Sequence, residues 1–83
     1  MTVRDTSRIA YAVMDLAPQQ AAIVRRLARH PGMTRREIAT ALHLDVSAVA
    51  GRVNELIAAG RLKECGQRSC KVTGRTAYAL DLV

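Results

Sequence analysis

The 83-residue sequence contains neither phenylalanine nor tryptophan and only two tyrosines, Tyr11 and Tyr78. Proteins that bind single-stranded DNA, and most that bind single-stranded RNA, stack the bases on exposed aromatic side chains. Two tyrosines are too few for a stacking surface of this kind. The aromatic content therefore argues against single-stranded nucleic acid as the partner.

Cysteine is also scarce, because only Cys65 and Cys70 are present, separated by four residues. A structural zinc site needs four ligands, and the two histidines, His30 and His43, lie far away and outside any ligand spacing. A disulfide across a hairpin is geometrically conceivable, but a reducing cytosol disfavours it. We therefore predict no metal site and interpret both cysteines as small, half-buried strand residues.

Sequence patterns of catalysis are missing as well: there is no Ser/His/Asp set, no paired carboxylates suited to a cleft and no glycine-rich phosphate loop. A chain of 83 residues forms one domain with a small core. We therefore expect neither enzyme activity nor a cofactor. No apolar run approaches the roughly 20 residues of a membrane span, and no signal-peptide pattern opens the sequence. The expected location is the bacterial cytosol or nucleoid, away from membranes.

Acidic residues are few, since 7 Asp and Glu stand against 13 Lys and Arg, and the net charge is +6. Between residues 60 and 76 the single acid Glu64 accompanies five bases: Arg61, Lys63, Arg68, Lys71 and Arg75. Clustered bases favour an anionic partner, because neutralising phosphates releases condensed counterions. On charge alone, a solvated basic surface without a partner remains the alternative.

Residues 34–60 have the pattern of two helices joined by a tight turn, and the rest of the chain is organised around them. Apolar residues recur at helical spacing in both halves, so the two helices must share one core. Thr34 followed by Glu37 fits a capping box, in which each residue bonds the backbone amide of the other. This box predicts where the first helix begins.

The turn and the second helix have their own boundary signals. His43 lies where the chain must pass through a left-handed backbone conformation, which His tolerates better than most residues. Asp45 is the preferred cap of the second helix, with Ser47 as its competitor, and Gly60 is well placed to end it. The second helix is therefore expected over about residues 46–59.

Two further segments precede this unit. Residues 1–17 form an N-terminal extension with apolar side chains at helical spacing, and we predict a short helix there. Its apolar face must cover the domain's own core or the same helix of a second copy, so a homodimer contact is plausible. Pro18 suits the first position of the next helix, which we expect to reach about His30. The main domain is predicted to span residues 18–83.

After residue 60 the apolar period changes from helical to alternating. Tyr78, Leu80 and Leu82 fall on one side of a predicted final strand, and residues 66–75 carry turn signals at both ends. Residues 61–82 are therefore predicted to form a basic hairpin. The fold class is mainly α with a small β-hairpin, that is, α+β.

A helix, a helix-turn-helix unit and a hairpin in this order resemble the winged helix-turn-helix DNA-binding family, with an extra N-terminal helix. Three phrases narrow the resemblance to small winged-helix proteins encoded by phages and prophages: T6-S7-x-x-A10-Y11, G51-R52-V53-N54-E55-L56 and C70-K71-V72-T73-G74-R75. Members of that group often end the last strand with a tryptophan, which this chain lacks. No contact of that tryptophan is carried over.

This resemblance implies binding to double-stranded DNA, with the second helix in the major groove and the hairpin acting as a wing. Candidate phosphate contacts at the start of the first helix are Thr34, Arg35 and Arg36. Candidate residues of the recognition helix are Ser47, Ala48, Gly51, Arg52 and Asn54. Candidate wing contacts are Arg68, Lys71 and Arg75.

Two of these residues carry specific expectations. Arg52 is predicted to read guanine, with Glu55 orienting it through a salt bridge. Gly51 costs up to about 1 kcal/mol relative to Ala inside a helix, and close approach to DNA is one way to offset this cost. The competing explanation is close packing against another helix.

The expected function is that of a phage-type transcriptional regulator, more precisely a repressor that acts by occupying its site. The alternative is a winged-helix protein-interaction module, such as a phage-encoded inhibitor of a host protein complex. Charge clustering in the wing favours DNA, whereas the small, polar-poor face of the second helix favours the interaction module. The target sequence, any effector and the oligomeric state stay open at this point.

Overall fold

The computed structural model describes residues 13–83, and within them three helices precede a two-stranded antiparallel hairpin. The elements are α1 Pro18–Arg29, α2 Arg35–Leu42, α3 Val46–Ala58, β1 Leu62–Ser69 and β2 Thr76–Leu82. The predicted α+β class and the winged helix-turn-helix arrangement are confirmed. The predicted N-terminal helix falls mainly on residues 1–12, which lie outside the described residues.

Helix α1 begins and ends at residues whose chemistry stops a helix from continuing. Pro18 occupies the first helical position, where its missing amide proton removes no hydrogen bond. The amide of Ala17 donates to Gln20 Oε1 at 3.2 Å. The last helical residue is Arg29, and His30 precedes Pro31, which pushes it out of the helical region. These limits agree with the predicted ones to within one residue.

The boundary signals of the helix-turn-helix unit are also confirmed. The Thr34 hydroxyl accepts from the Glu37 amide at 3.2 Å, and a Glu37 carboxylate oxygen accepts from the Thr34 amide at 3.1 Å. His43 is the left-handed residue, with φ 56°. Asp45, rather than Ser47, caps α3, because its carboxylate accepts from the amides of Ser47 and Ala48 at 3.0 and 3.3 Å.

The core is formed by all three helices together with the base of the hairpin. Its fully buried large residues are Ile23, Val24, Leu27, Ile38, Val49, Val53, Leu56, Leu62 and Leu80. Burying each such side chain is worth roughly 1.5–3 kcal/mol, so Leu62 and Leu80 fix the hairpin to the helical body. The described residues contain no helix long and apolar enough to span a membrane.

The hairpin contains one bulge, and its strand β2 also bonds the backbone of the loop before α2. Glu64 pairs with Leu80 and Gln67 with Tyr78, so two residues of β1, Cys65 and Gly66, oppose one residue of β2. Gly66 has φ 102° and therefore marks a bulge inside β1, not the turn signal predicted from the sequence. The loop before α2 bonds β2, since the Gly32 amide donates to the Leu80 carbonyl at 2.8 Å.

The left-handed position at His43 gives a direct test of the turn. A residue with a Cβ pays a steric cost at positive φ, whereas glycine does not. We expect the free energy of unfolding of His43→Gly to be about 1 kcal/mol higher than that of His43→Ala, as measured by urea titration followed by circular dichroism. Equal stability of the two variants would show that the turn does not require this conformation.

Candidate nucleic-acid interface

The outer face of α3 is exposed and made of small and polar residues. Val49, Val53 and Leu56 face the core, as the helical wheel predicted. On the opposite side Ser47, Ala48, Asn54, Glu55 and Ala58 are exposed, with Gly51 and Arg52 half-buried. No described residue therefore covers the face predicted to enter the major groove.

Packing among the described residues does not require glycine at position 51. A Cβ built at this position would meet no atom within 4 Å, and the backbone there is ordinary helix. The alternative explanation, close packing against another helix, therefore has no support among the described residues. No close contact among the described residues offsets the cost of glycine in the middle of α3.

Arg52 is held in place by a chain of polar contacts that reaches α1. Its Nη2 donates to Glu55 Oε2 at 2.8 Å, as predicted, and Gln20 Nε2 donates to Glu55 Oε1 at 3.0 Å. The same Gln20 side chain accepts from the Ala17 amide at the start of α1. Both oxygens of Glu55 are thus engaged. The orientation of Arg52 therefore depends on a residue of a different helix.

Arg35 joins the three elements of the predicted interface. Its Nη2 donates to Asn54 Oδ1 of α3 at 2.9 Å and to Glu64 Oε2 of β1 at 3.2 Å. The start of α2, the flank of α3 and the first wing strand therefore meet at one guanidinium. Arg35 and Asn54 were predicted as separate DNA contacts, but the structure bonds them to each other.

The Glu37–Arg68 pair connects the start of α2 to the wing. The guanidinium is bidentate, because Nη1 donates to Glu37 Oε2 at 3.0 Å and Nη2 donates to Oε1. The Lys71 amide also donates to Oε2, at 2.7 Å. Arg68 Nε donates in addition to the carbonyl of Gly32 at 2.9 Å.

These contacts change the role predicted for Arg68. Its sequence neighbours suggested a wing residue that reaches DNA, but three donors of the guanidinium bond within the protein. A DNA contact by Arg68 stays a prediction, and such a contact competes with these bonds, because a charge already paired to a buried carboxylate costs free energy to remove. Arg68 positions the wing.

The environment of Glu37 favours its ionised form. Burial raises the pKa of this carboxyl, but hydrogen bonds from Arg68 and from the amides of Lys71 and Thr34 outweigh burial and hold the pKa at about 2. The same pairing raises the pKa of Arg68. The pair is therefore ionised at any physiological pH.

The side chain of Thr34 is also engaged within the protein. Its side chain is only 1% exposed, and its hydroxyl lies 3.2 Å from Cys70 Sγ in addition to capping α2. The phosphate contact at this helix start was predicted from its backbone amides and dipole, and it stays a prediction. Thr34 belongs with Glu37 to the contact between α2 and the wing.

The cysteines differ from the half-buried strand residues that were predicted. Cys65 lies in β1 and is exposed, whereas Cys70 follows β1 and is buried, and both are free thiols. Burial raises the pKa of Cys70, yet hydrogen bonds from Thr34 and from the backbone of the wing turn lower it to about 7. Among the described residues no cluster of His, Cys, Asp and Glu could hold a metal ion.

Three of the predicted cations carry side chains without an acceptor in the described part of the chain: Arg36, Lys71 and Arg75. All three are exposed. Lys71 and Arg75 flank the tip of the wing, where Val72 is 49% exposed. The turn is closed by its own backbone, because the Cys70 amide donates to the Arg75 carbonyl at 2.8 Å. Its cations are thus presented on a defined loop.

The polar pairs that organise this surface were not found from the sequence. Glu37 was predicted only as a capping residue, and Gln20 was not singled out. Glu37 and Arg68 lie 31 positions apart, and Gln20 and Glu55 lie 35 apart. No local spacing rule relates residues at such separations, so only the fold brings them together.

The helices, the exposed outer face of α3 and the basic hairpin after it define a winged helix-turn-helix protein. The sequence profile of the MarR family matches residues 14–67, which is more than half of the chain. The chain therefore belongs to the MarR family. A search of curated proteins found no similar sequence.

Solved structures agree on the fold. RV1404 from Mycobacterium tuberculosis superposes with a TM-score of 0.70 at 20% identity, over 95% of this chain and 51% of that one. The multiple antibiotic-resistance repressor MarR from Listeria monocytogenes gives 0.70 at 23% identity, over 96% and 53%. The PcaV transcriptional regulator from Streptomyces coelicolor gives 0.66 at 22% identity, over 96% and 60%. The chain thus spans about half the length of the structures it matches.

None of these three relatives is described as encoded by a phage, so the phage resemblance stays a prediction.

The depressed pKa of Glu37 predicts a specific acid dependence of stability. Because this pKa is lower in the folded chain than its ordinary value of 4.5, ionisation stabilises the fold. The contribution, at most about 3 kcal/mol because Arg68 is partly exposed, is complete above about pH 4.5 and is lost as the pH falls to about 2. We expect Glu37→Gln to lower the unfolding free energy at pH 7, with the difference from the parent shrinking through this window.

Urea unfolding at several pH values measures this difference. Glu64→Gln removes the exposed carboxylate that pairs with Arg35, and controls for the loss of one negative charge and one surface ion pair. A constant difference between parent and Glu37→Gln from pH 7 to 2 would contradict the assignment.

Proposed function

We propose that this protein binds double-stranded DNA and acts as a transcriptional regulator. The observation that carries the proposal is the position of Arg35, which brings the start of α2, the flank of α3 and the wing strand together at one point. Transcription regulators of the MarR family bind DNA, which supports the same conclusion. Of the unpaired cations, Arg36 lies at the start of α2, and Lys71 and Arg75 lie in the turn of the wing.

Within this proposal the cations divide into two groups by their partners. Arg36, Lys71 and Arg75 are free to bind phosphates or, for the wing, to enter the minor groove. Arg35 and Arg68 are paired inside the protein and hold the elements in position. Val72 at the wing tip adds an apolar contact to the sugar edges of the groove.

The outer face of α3 reads the major groove in this proposal. Arg52, oriented by Glu55, pairs with guanine, and Ser47 contacts a base or a phosphate. Asn54 pairs with adenine only after releasing Arg35, so its contribution is smaller than the sequence suggested. Ala48 and Gly51 allow the helix to approach closely. The Asp45 carboxylate already bonds the amides of Ser47 and Ala48, so base contacts there come from side chains.

We also propose a mode of regulation, a location and an oligomeric state. Repression by occupying a site is the simplest action for a compact DNA-binding unit, and one structural relative is named a repressor. We place the protein in the cytosol with the DNA and assign it no catalytic role. We also propose a homodimer formed through residues 1–17, supported by Met14, which is 77% exposed. The protein-interaction module is not favoured, since the named relatives include transcriptional regulators.

The wing tip provides the main test. Lys71→Ala combined with Arg75→Ala removes two unpaired charges, so we expect weaker binding to every duplex and a salt slope smaller by about 2. The measurement is fluorescence anisotropy with random and selected duplexes from 50 to 200 mM salt, conditions in which phosphate-contact losses are large.

Arg25→Ala, which removes an exposed cation of α1, is the charge control and should leave the slope nearly unchanged. Parent-like binding by the wing double variant would overturn the wing assignment. Little binding by the parent at any salt would instead favour the protein-interaction module.

A substitution at Gly51 is expected to change stability and DNA binding in opposite directions. Because a Cβ there meets no atom and the backbone is helical, Gly51→Ala should raise the unfolding free energy by up to about 1 kcal/mol. If α3 lies close to the groove floor, the same methyl group should weaken duplex binding. Urea unfolding and anisotropy on one protein preparation measure both. A variant that is more stable and binds as tightly as the parent would place Gly51 away from the DNA.

A further inference from the structure

A second basic site lies where the end of α1 meets the base of the wing. An open cleft of about 480 Å³ forms there between α1, the loop leading to α2, and the wing. Its walls include Arg26, Arg29, Met33, Glu37, Arg68 and Lys71. None of its lining residues comes from α3, so the cleft is separate from the face proposed to read the major groove.

The charges of the cleft do not balance. Glu37 is its one carboxylate, and both of its oxygens are used by Arg68 and by the backbone amides of Thr34 and Lys71. Arg26, Arg29 and Lys71 therefore contribute positive charge that no acidic side chain lining the cleft offsets. Arg26 and Arg29 have no ion pair or hydrogen bond through their side chains in the described part of the chain.

Arg26 supplies a further observation. Its Nε is shielded from solvent and has no acceptor among the described residues. A buried donor without an acceptor costs roughly 1–3 kcal/mol, so a shift of this side chain that lets an acceptor in the cleft reach Nε would recover free energy.

Placement at a helix end explains only part of this arrangement. Arg26 and Arg29 lie in the last turn of α1, where the partial negative charge of the helix end attracts cations. That charge amounts to about half an electron, which is less than the charge of either arginine. The wing adds Lys71 to the same cleft, and the dipole of α1 does not account for its position.

We propose that this cleft is an oxyanion-binding site, taking the phosphate or carboxylate group of a small anion. Guanidinium groups bind such groups through two parallel hydrogen bonds, and neither Arg26 nor Arg29 pairs with an acidic side chain lining the cleft. Met33 and Pro31 form the apolar part of the wall and contact the non-polar portion of an organic anion. A bound anion contacts Lys71 and so links occupancy of the cleft to the wing.

The test uses the full chain and inorganic phosphate as the probe. Phosphate is titrated at constant ionic strength while nuclear magnetic resonance follows the arginine Nε–H signals and the backbone amides. We expect saturable shifts at Arg26, Arg29 and Lys71. Arg29→Gln changes an exposed residue and should weaken phosphate binding about tenfold or more, since a charge-assisted hydrogen bond is lost.

Arg25→Gln is the matched control, because it removes the same charge from an exposed residue of α1 that does not line the cleft. It should bind phosphate as the parent does, and circular dichroism checks that each variant is folded. Equal binding by Arg29→Gln and Arg25→Gln, or shifts that never saturate, would overturn the proposal by showing general ion attraction only.

A second arm identifies the source of the anion. A short duplex is added to the phosphate-loaded protein. Release of phosphate assigns the site to the DNA backbone, whereas retention assigns it to a free anion, and both outcomes keep the oxyanion site. A protein that binds duplex DNA but no phosphate in the cleft overturns this inference alone. A protein that binds phosphate but no duplex overturns only the proposed function.

Discussion

The contact between the Glu37 carboxylate and the wing determines how the parts of this small protein sit together. A carboxylate that is only 8% exposed is expensive unless its oxygens are satisfied, and here Arg68 and two backbone amides do so. One amide belongs to the start of α2 and the other to the wing turn. The same carboxylate therefore caps a helix and fixes a loop, so the two cannot move independently without leaving a charge unpaired.

This constraint explains why the arginines near the interface have different roles. Arg35 and Arg68 bond residues of other elements and define the relative positions of α2, α3 and the wing, whereas Arg52 pairs with a carboxylate of its own helix. The unpaired cations lie at the rim of this framework, where they keep their full donor capacity. A rigid internal network with free charges around it lowers the ordering cost of binding a polyanion, because the charged groups are already in position. Pairing some bases inside the chain thus makes the remaining ones more effective.

The predictable part of the structure follows local chemistry. A capping box needs residues three positions apart, a left-handed turn needs one tolerant residue, and Pro18 starts a helix without any distant contact. These signals, with the apolar period, were enough to predict the order and limits of α1, α2 and α3.

The site was harder to predict, because the exposure and pairing of its side chains depend on residues far apart in sequence. Thr34 and Arg68 carry the side chains expected of DNA contacts, yet the fold uses them to join α2 to the wing. The interpretation of Gly66 as a turn residue was wrong because glycine at positive φ occurs in bulges as well as in turns.

The bulge at Cys65 and Gly66 restricts how related wings can differ from this one. Side chains alternate across a hairpin, so the extra residue in β1 sets which of them face the helices and which face outward beyond that point. Losing that residue, or gaining another, would exchange the two sets and turn Arg68 away from its carboxylate. A change of length inside β1 that keeps both faces in place must therefore come in pairs of residues or be absorbed by another bulge.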